Sequence, residues 1–260
     1  MHENDQNTTE LLVLIITCRK SPPARVLSAR AELEALNLPI EIEVLDGYVS
    51  EDDCIDAIYD AKTNRRRVKR PISRSEIAVY ATHRMAWKRL TESGHPAAIV
   101  FEDDFAVRKP KIVEASIQFW REFLGDGRDM VKLFDFEKRK RNNAVCSARV
   151  REVDLVKWSA PSAGMVAYLI SHDGAQKFLS RKRIFRQVDE DAKYFWELGL
   201  NIWSIPDNPV AEISNALGGS LVEADRQSHR ERRFLRSLWG NLLVLDRKLR
   251  TWIYLRVARH

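Results

Sequence analysis

The stretch LLVLIITCRKSPPARVLSARAELEALNLPIEIEVLDG, residues 11–47, decides the fold. Leu11 to Thr17 form a short, branched run that is apolar almost throughout, the pattern of a strand buried on both faces. Ser21 can cap a following helix, whose apolar positions Val26, Leu27, Leu33 and Leu36 continue until Pro39 stops it. A second strand, Ile40 to Leu45, runs into Asp46-Gly47, a turn signal. Strand, helix and strand in this order imply a right-handed crossover between parallel strands, so the expected class is α/β.

The alternation continues downstream. Ser50 to Lys62 is expected to be helical, with Glu51, Asp52 and Asp53 in a first turn that suits the helix dipole. A basic run from Arg65 to Arg70 ends at Pro71. Ser73 with Glu76 makes a capping box, and the helix it opens carries Ile77, Tyr80, Ala81, Met85 and Leu90 near one face as far as Ser93. Ala97 to Phe101 is a buried strand leading straight into Glu102-Asp103-Asp104. Helices are expected over Ile112–Leu124, Ser171–Leu179 and Val188–Leu198, and strands over Met130–Phe134, Met165–Ile170 and Asn201–Ile205. No internal repeat is visible.

With 45% hydrophobic and 31% charged residues, the 260-residue chain is neither fibrous nor wholly disordered. Cys18, Cys54 and Cys146 are widely spaced and odd in number, which fits neither a disulfide framework nor a zinc site. The first ten residues are polar, and no apolar run is long enough to cross a bilayer, so a cytoplasmic protein is expected. The 43 basic residues exceed the 37 acidic ones by six, yet ten basic and three acidic residues fall between Asp225 and His260. That leaves 33 basic and 34 acidic residues in the body, a net of −1 against +7 for the tail. Phe234, Leu238, Leu242, Leu245, Leu249 and Trp252 give the tail one apolar helical face, expected to be interrupted at Gly240. The expected organisation is therefore a body over 1–224 and a basic amphipathic helical tail over 225–260. The tail suits an anionic membrane surface, and equally a helix packed on the body or in a homodimer. Binding of nucleic acid through the tail is the alternative function class; the body holds no motif for it.

Glu102-Asp103-Asp104 ends a buried strand, and in open α/β sheets ligands bind beyond the carboxyl ends of strands. Three adjacent carboxylates repel one another unless a cation intervenes, and magnesium or manganese, bridging carboxylates to a diphosphate, supplies one. A solvated acidic turn is the bland alternative.

The segment RPISRSEIAVYATHRMAWKRLTESGHPAAIVFEDDFAV, residues 70–107, resembles the signature region of glycosyltransferase family 25. These are lipopolysaccharide and lipooligosaccharide galactosyltransferases, related to the collagen galactosyltransferases. Arg70, Pro71, Ser73, Glu76, Ile77, His83, Trp87, Glu102, Asp103 and Asp104 match its pattern. Asp46-Gly47, Arg19-Lys20-Ser21-Pro22, Ala167 to Ser171, Gly174-Ala175 and Val188-Asp189 extend the likeness over roughly residues 11–213. The departures are Thr17-Cys18 for the usual Asn-Leu, Ala78-Val79-Tyr80 for Gly-Cys and a small residue, and Thr82 for the Ser before His83.

The resemblance implies a GT-A fold, a mixed but mostly parallel sheet flanked by helices. It also implies a UDP-sugar donor such as UDP-galactose, a saccharide or glycolipid acceptor, and Mn2+ or Mg2+. Asp104 and Glu102 are then the metal ligands, with Asp103 on metal or ribose. The donor site falls to Thr17, Arg19, Asp46, Gly47, Arg70, Glu76, His83 and Asp103. Inversion needs one carboxylate base, and Asp189 matches the family's late aspartate, with Asp191 its local rival. From the residues alone, Glu76 is equally a helix cap and His83 a packing residue. Trp87, Trp158 and Trp196 are core residues or sugar-stacking rings. A sugar-nucleotide binder without catalysis is a further alternative. The expected location is the inner face of the bacterial inner membrane, held peripherally through the tail.

Overall fold

The computed structural model describes residues 10–136, 143–219 and 234–257. The elements run β1 (Leu11–Cys18), α1 (Pro23–Glu34), β2 (Ile42–Gly47), α2 (Cys54–Ile58), α3 (Ala61–Arg67), α4 (Arg74–Ser93), β3 (Ala97–Glu102) and β4 (Phe105–Val107). Then come α5 (Pro110–Gln118), α6 (Trp120–Phe123), β5 (Met130–Lys132), β6 (Ala144–Val150), β7 (Val153–Trp158), β8 (Ala167–Ser171) and α7 (His172–Leu179). The last are α8 (Val188–Ala192), a 3-10 turn over Phe195–Glu197, β9 (Ile202–Ser204), β10 (Val210–Glu212), a second 3-10 turn over Ser214–Leu217, and α9 (Phe234–Val257).

Eight strands form one sheet in the order β2-β1-β3-β8-β5-β9-β7-β6, and β4 with β10 forms a separate antiparallel ribbon. Following the pairings across the sheet, only β8 and β7 run against the other six strands. The sheet is thus mixed and mostly parallel. Both of its faces are covered, as the unbroken apolar run of β1 requires. Leu11, Val13 and Ile15 enter one core with Ala29 and Leu33 of α1 and Val113 and Ile117 of α5. Leu12, Leu14 and Ile16 enter the other with Ile77, Tyr80 and Trp87 of α4 and Phe178 of α7.

Several expected elements differ in detail. Pro22, not Ser21, occupies the N-cap of α1, and its buried positions are Arg25, Ala29 and Leu33, while Leu27 is 67% exposed. The helix expected over Ser50–Lys62 is two. Tyr59 turns extended to bridge Ile184, and Asp60 starts α3 afresh by accepting the Thr63 amide at 2.9 Å. Glu51 and Asp52 lie before α2 and pair with Lys20 and Arg19. The expected helices over 112–124 and 188–198 are likewise shorter: α5 ends before Phe119, and α8 gives way to the first 3-10 turn. The capping box of α4 forms in full, Ser73 and Glu76 each accepting the other's amide.

The tail helix α9 runs through Gly240 without a break. A Cβ there would overlap the Lys69 side chain, so glycine lets the helix approach rather than interrupting it. The expected division at residues 224 and 225 lies outside the described residues. No helix among the described residues is long and apolar enough to cross a membrane.

Candidate active site

Parallel pairing aligns the carboxyl ends of β1, β2 and β3. Thr17 stands opposite Asp46, Cys18 opposite Gly47, and Ile16 opposite Glu102. Thr17, Asp46, Gly47 and Glu102, remote in sequence, therefore meet at one edge of the sheet. Thr17 Oγ1 donates to Asp103 Oδ2 at 2.5 Å, which extends the group by one residue. Gly47 is required by the close approach of α4: a Cβ there would overlap the Thr82 side chain. Thr82 Oγ1 in turn accepts the Tyr48 amide at 3.0 Å, tying the loop after β2 to that helix. Arg19, itself exposed, turns to the half-buried Asp52 at 2.6 Å.

Glu102 is oriented from beneath. His83, wholly buried on α4, places Nε2 3.1 Å from Glu102 Oε1 and Nδ1 2.9 Å from the Tyr168 hydroxyl. Trp87 Nε1, which can only donate, reaches the same hydroxyl at 3.0 Å. The assignment that satisfies every atom has the Tyr168 O–H donating to Nδ1, so that the imidazole carries its proton on Nε2 toward Glu102. Burial holds the Tyr168 phenol well above its ordinary value, so it stays protonated for this task. His83 thus joins the core to the acidic motif, while Trp87 stacks on Phe178 at 4.3 Å within the core.

Asp103 and Asp104 share a partner that sequence reasoning missed. Arg25, on the first turn of α1 and only 4% exposed, approaches Asp103 Oδ1 and Asp104 Oδ2, each at 3.5 Å. Its remaining donors go to the carbonyls of Leu217 at 3.2 Å and Gly219 at 2.5 Å, so one guanidinium ties the acidic motif to the segment after β10. A signal for it existed: a cation in the first turn of a helix is disfavoured by the dipole and needs an acidic neighbour. One guanidinium does not balance the motif. Asp104 Oδ1 is buried with no partner, and burial, then Glu102 and Asp103, push the Asp104 carboxyl up to about 7 against the opposing pull of Arg25. Glu212, on β10, adds to that push and was likewise missed. The hard oxygens of Glu102 and Asp104 fit a divalent cation, which would meet the unpartnered Oδ1. Among the described residues no group of three or more His, Cys, Asp or Glu side chains converges as a metal cage, so the protein offers part of a coordination shell.

A second group of the expected residues gathers where α4 meets α8. Arg70 clasps Glu76 through two bonds of 2.8 and 3.1 Å, and Gln187 also donates to Glu76. Asp191 is fully buried: Tyr80 donates to it at 2.7 Å, and Arg186 and Arg181 pair with it at 3.0 and 2.6 Å. The same two arginines hold Glu197, whose carboxyl burial would raise but which they bring down to about 2. Asp191 is committed to fixing α8 in place. Asp189 is half-buried and, among the described residues, accepts only the Glu190 amide, at 2.8 Å, which leaves it the accessible carboxylate of the pair. Among the described residues no hydrogen bond or ion pair joins Asp189 or Asp191 to the acidic triplet. The link between the two groups is α4, which contacts one through His83 and the other through Glu76 and Tyr80.

No protein of curated function matches the chain. Similar solved structures are distant. A197 from STIV is 12% identical, with 75% of this chain and 80% of that one covered at a TM-score of 0.38. CMP:2-keto-3-deoxy-manno-octonic acid synthetase complexed with CTP is 12% identical, with 75% and 88% covered at 0.38. A Bacillus anthracis protein assigned as a glucose-1-phosphate thymidylyltransferase, in complex with sucrose, is 11% identical, with 86% and 97% covered at 0.40. Likenesses this remote carry no weight for the site. The family model described as glycosyltransferase family 25 (LPS biosynthesis protein) matches residues 15–191, a span from the end of β1 through the acidic motif to Asp191. The chain belongs to glycosyltransferase family 25.

Proposed function

We propose that the protein moves a hexose, with galactose as the preferred sugar, from a UDP-sugar to a saccharide acceptor with inversion at the anomeric carbon. Its family makes it a glycosyltransferase with a sugar donor and a sugar acceptor, and ties it to lipopolysaccharide biosynthesis. The observation that carries the finer reading is the meeting of Thr17, Asp46, Gly47 and the acidic triplet at the carboxyl ends of three parallel strands. We take this edge as the nucleotide-sugar site of a GT-A fold.

In this reading Asp189 accepts the proton of the acceptor hydroxyl as its oxygen bonds to the anomeric carbon. The bond from that carbon to the diphosphate oxygen breaks, and the nucleoside diphosphate leaves with the electron pair. Glu102 and Asp104 would hold Mn2+ or Mg2+, which when bound supplies charge stabilisation to the departing diphosphate. His83 keeps Glu102 aimed, and Thr17 with Arg25 fixes Asp103 for a ribose or metal contact. Gly47 lets Thr82 and α4 close against the end of β2, Arg19 stands in the loop after β1, and Arg70 with Glu76 braces α4 against Gln187. The acceptor is a lipid-linked saccharide at the inner face of the bacterial inner membrane, where the enzyme sits peripherally.

A panel of UDP-sugars incubated with purified protein and Mn2+, with and without EDTA, tests this. UDP release is expected to be fastest from UDP-galactose and to stop on chelation. Absence of hydrolysis or transfer from every UDP-sugar with Mn2+ present overturns the reading.

A further inference from the structure

Of the ten large apolar side chains exposed among the described residues, eight lie on α9. Leu242, Leu245, Leu249, Trp252 and Ile253 are between 46% and 61% exposed. At 100° per residue they share a sector of roughly 100°. The face turned to the body is the opposite one. Gly240 rests on Lys69, Arg247 pairs with Glu190 at 3.3 Å, Thr251 is buried, and the Tyr254 ring meets Phe195 edge-on at 5.6 Å. A helix packed on its own domain ordinarily buries its apolar side and shows water its polar one. Here Tyr254 and Leu255 pack on the core, yet the wider apolar stripe is left facing water.

The charge around the stripe decides what covers it. Of the Lys and Arg on α9, Arg247 is held to the body by Glu190 and Arg250 pairs with the one acid, Asp246, which leaves Lys248 and Arg256 exposed beside the stripe. At its N-terminal end, Trp239 donates to the Arg66 carbonyl at 3.0 Å. That contact sets the exposed, basic end of α3, with Arg65 and Arg66, beside the apolar stripe. A second copy of the chain laid on this surface would bring cations against cations without acids to match them. An anionic bilayer matches both halves, taking the apolar stripe among acyl chains and the cations on lipid phosphates.

We propose that α9 is a helix mounted on the enzyme by the face bearing Gly240, Arg247, Thr251 and Tyr254 and lying in the plane of an anionic lipid surface. It contacts that surface through Leu242, Leu245, Leu249, Trp252 and Ile253, with Arg65, Arg66 and Lys248 on headgroup phosphates. This supplies the surface for the membrane location in the reading above, and rests on that reading only for the location. Because Arg247 and Tyr254 fix the helix to α8 and the turn after it, lipid contact also fixes how the face bearing Asp189 stands relative to the membrane.

The test is co-sedimentation of the full chain with vesicles of phosphatidylglycerol and phosphatidylethanolamine, against vesicles of phosphatidylcholine, without any sugar. The protein is expected on the anionic vesicles only, with partitioning that weakens as salt rises. The double variant Leu245→Glu/Leu249→Glu, at exposed positions that cost no core packing, should lower partitioning at least about a hundredfold. Arg65→Glu/Arg66→Glu should lower it about tenfold or more. Unchanged binding of the leucine variant overturns the proposal. So does a lipid-free dimer of the wild type that the same variant turns into monomer. Transfer to a soluble saccharide should survive in the variants, so failure here and failure of the transfer reading give different results.

Discussion

Replacing Asp104 with Asn should make the protein more stable, and by an amount that depends on pH. In the folded chain the carboxyl keeps its proton until about pH 7, whereas its ordinary value is 3.8. Between those values the folded state binds more protons than the unfolded one, so stability falls as pH rises through the window and levels off above it. A difference of about 3 pH units corresponds to about 4 kcal/mol as an upper limit. The amide introduced by Asp104→Asn keeps the size of the side chain, removes the charge, and turns an N–H toward the neighbouring carboxylates. Taking half the limit as recoverable, the variant should gain about 2 kcal/mol at pH 8, or about 4–8 °C in melting temperature for a chain of this length. At pH 4.5 the gain should shrink below about 1 kcal/mol, because little of the window between the two values has been crossed there. Thermal melts followed by circular dichroism at the two pH values, with EDTA present, measure this. Addition of Mn2+ should raise the wild-type midpoint at pH 8 and leave the variant's nearly unmoved. A variant less stable than wild type at pH 8, or equally shifted at both pH values, refutes the account of a charge-strained acidic motif.

Asp189→Asn should leave urea stability within about 0.5 kcal/mol while lowering transfer at least about a hundredfold, as loss of a general base does. Asp191→Asn should do the reverse in order of severity, costing about 3 kcal/mol by removing the fully buried one of the two carboxylates that Arg181 and Arg186 share. Tyr168→Phe removes the hydroxyl that serves both Trp87 and His83, and should cost about 2 kcal/mol in urea melts and slow transfer by freeing Glu102. Gly47→Ala must force its Cβ against Thr82, and a loss of about 1–3 kcal/mol is expected in the same assay.

The parts of the fold visible in the sequence are those whose cause is local. The apolar run of β1 and the Ser73–Glu76 box need only their own residues to be recognised, and both form as expected. The hairpin of β6 and β7 leaves no such trace, because β6 is exposed along most of its length and so carries no apolar alternation. The helix expected from Ser50 is too long because its break comes from Tyr59 pairing with Ile184, more than a hundred residues away. The site divides the same way. The acidic triplet announces itself, since three adjacent carboxylates at a strand end demand a counter-charge. The identity of the first counter-charge, Arg25, depends on a helix laid across that end by the fold. Asp189 and Asp191 are indistinguishable as letters, and only Tyr80, Arg181 and Arg186, brought in from elsewhere, separate a buried tie from an accessible carboxylate. For α9 the amphipathic pattern is plain, but which face turns inward is not, because Gly240, Arg247 and Thr251 do not look like a docking surface until Lys69, Glu190 and the rings of α8's flank stand opposite them.

The role of α4 limits how this enzyme can change length. Glu76, Tyr80, His83 and Trp87 fall on successive turns of one helix, and each has a partner beyond that helix. A single residue inserted between Glu76 and His83 would turn everything beyond it by about 100° and move it about 1.5 Å along the axis. The grip on Glu102 and the grip on α8 could not then both be kept. Drift by insertion or deletion is therefore open to the loops and closed to this helix, whereas point changes on its solvent side are free. A redesign that aims to alter the donor should accordingly graft at the ends of β1 and β2 and leave the phase of α4 untouched.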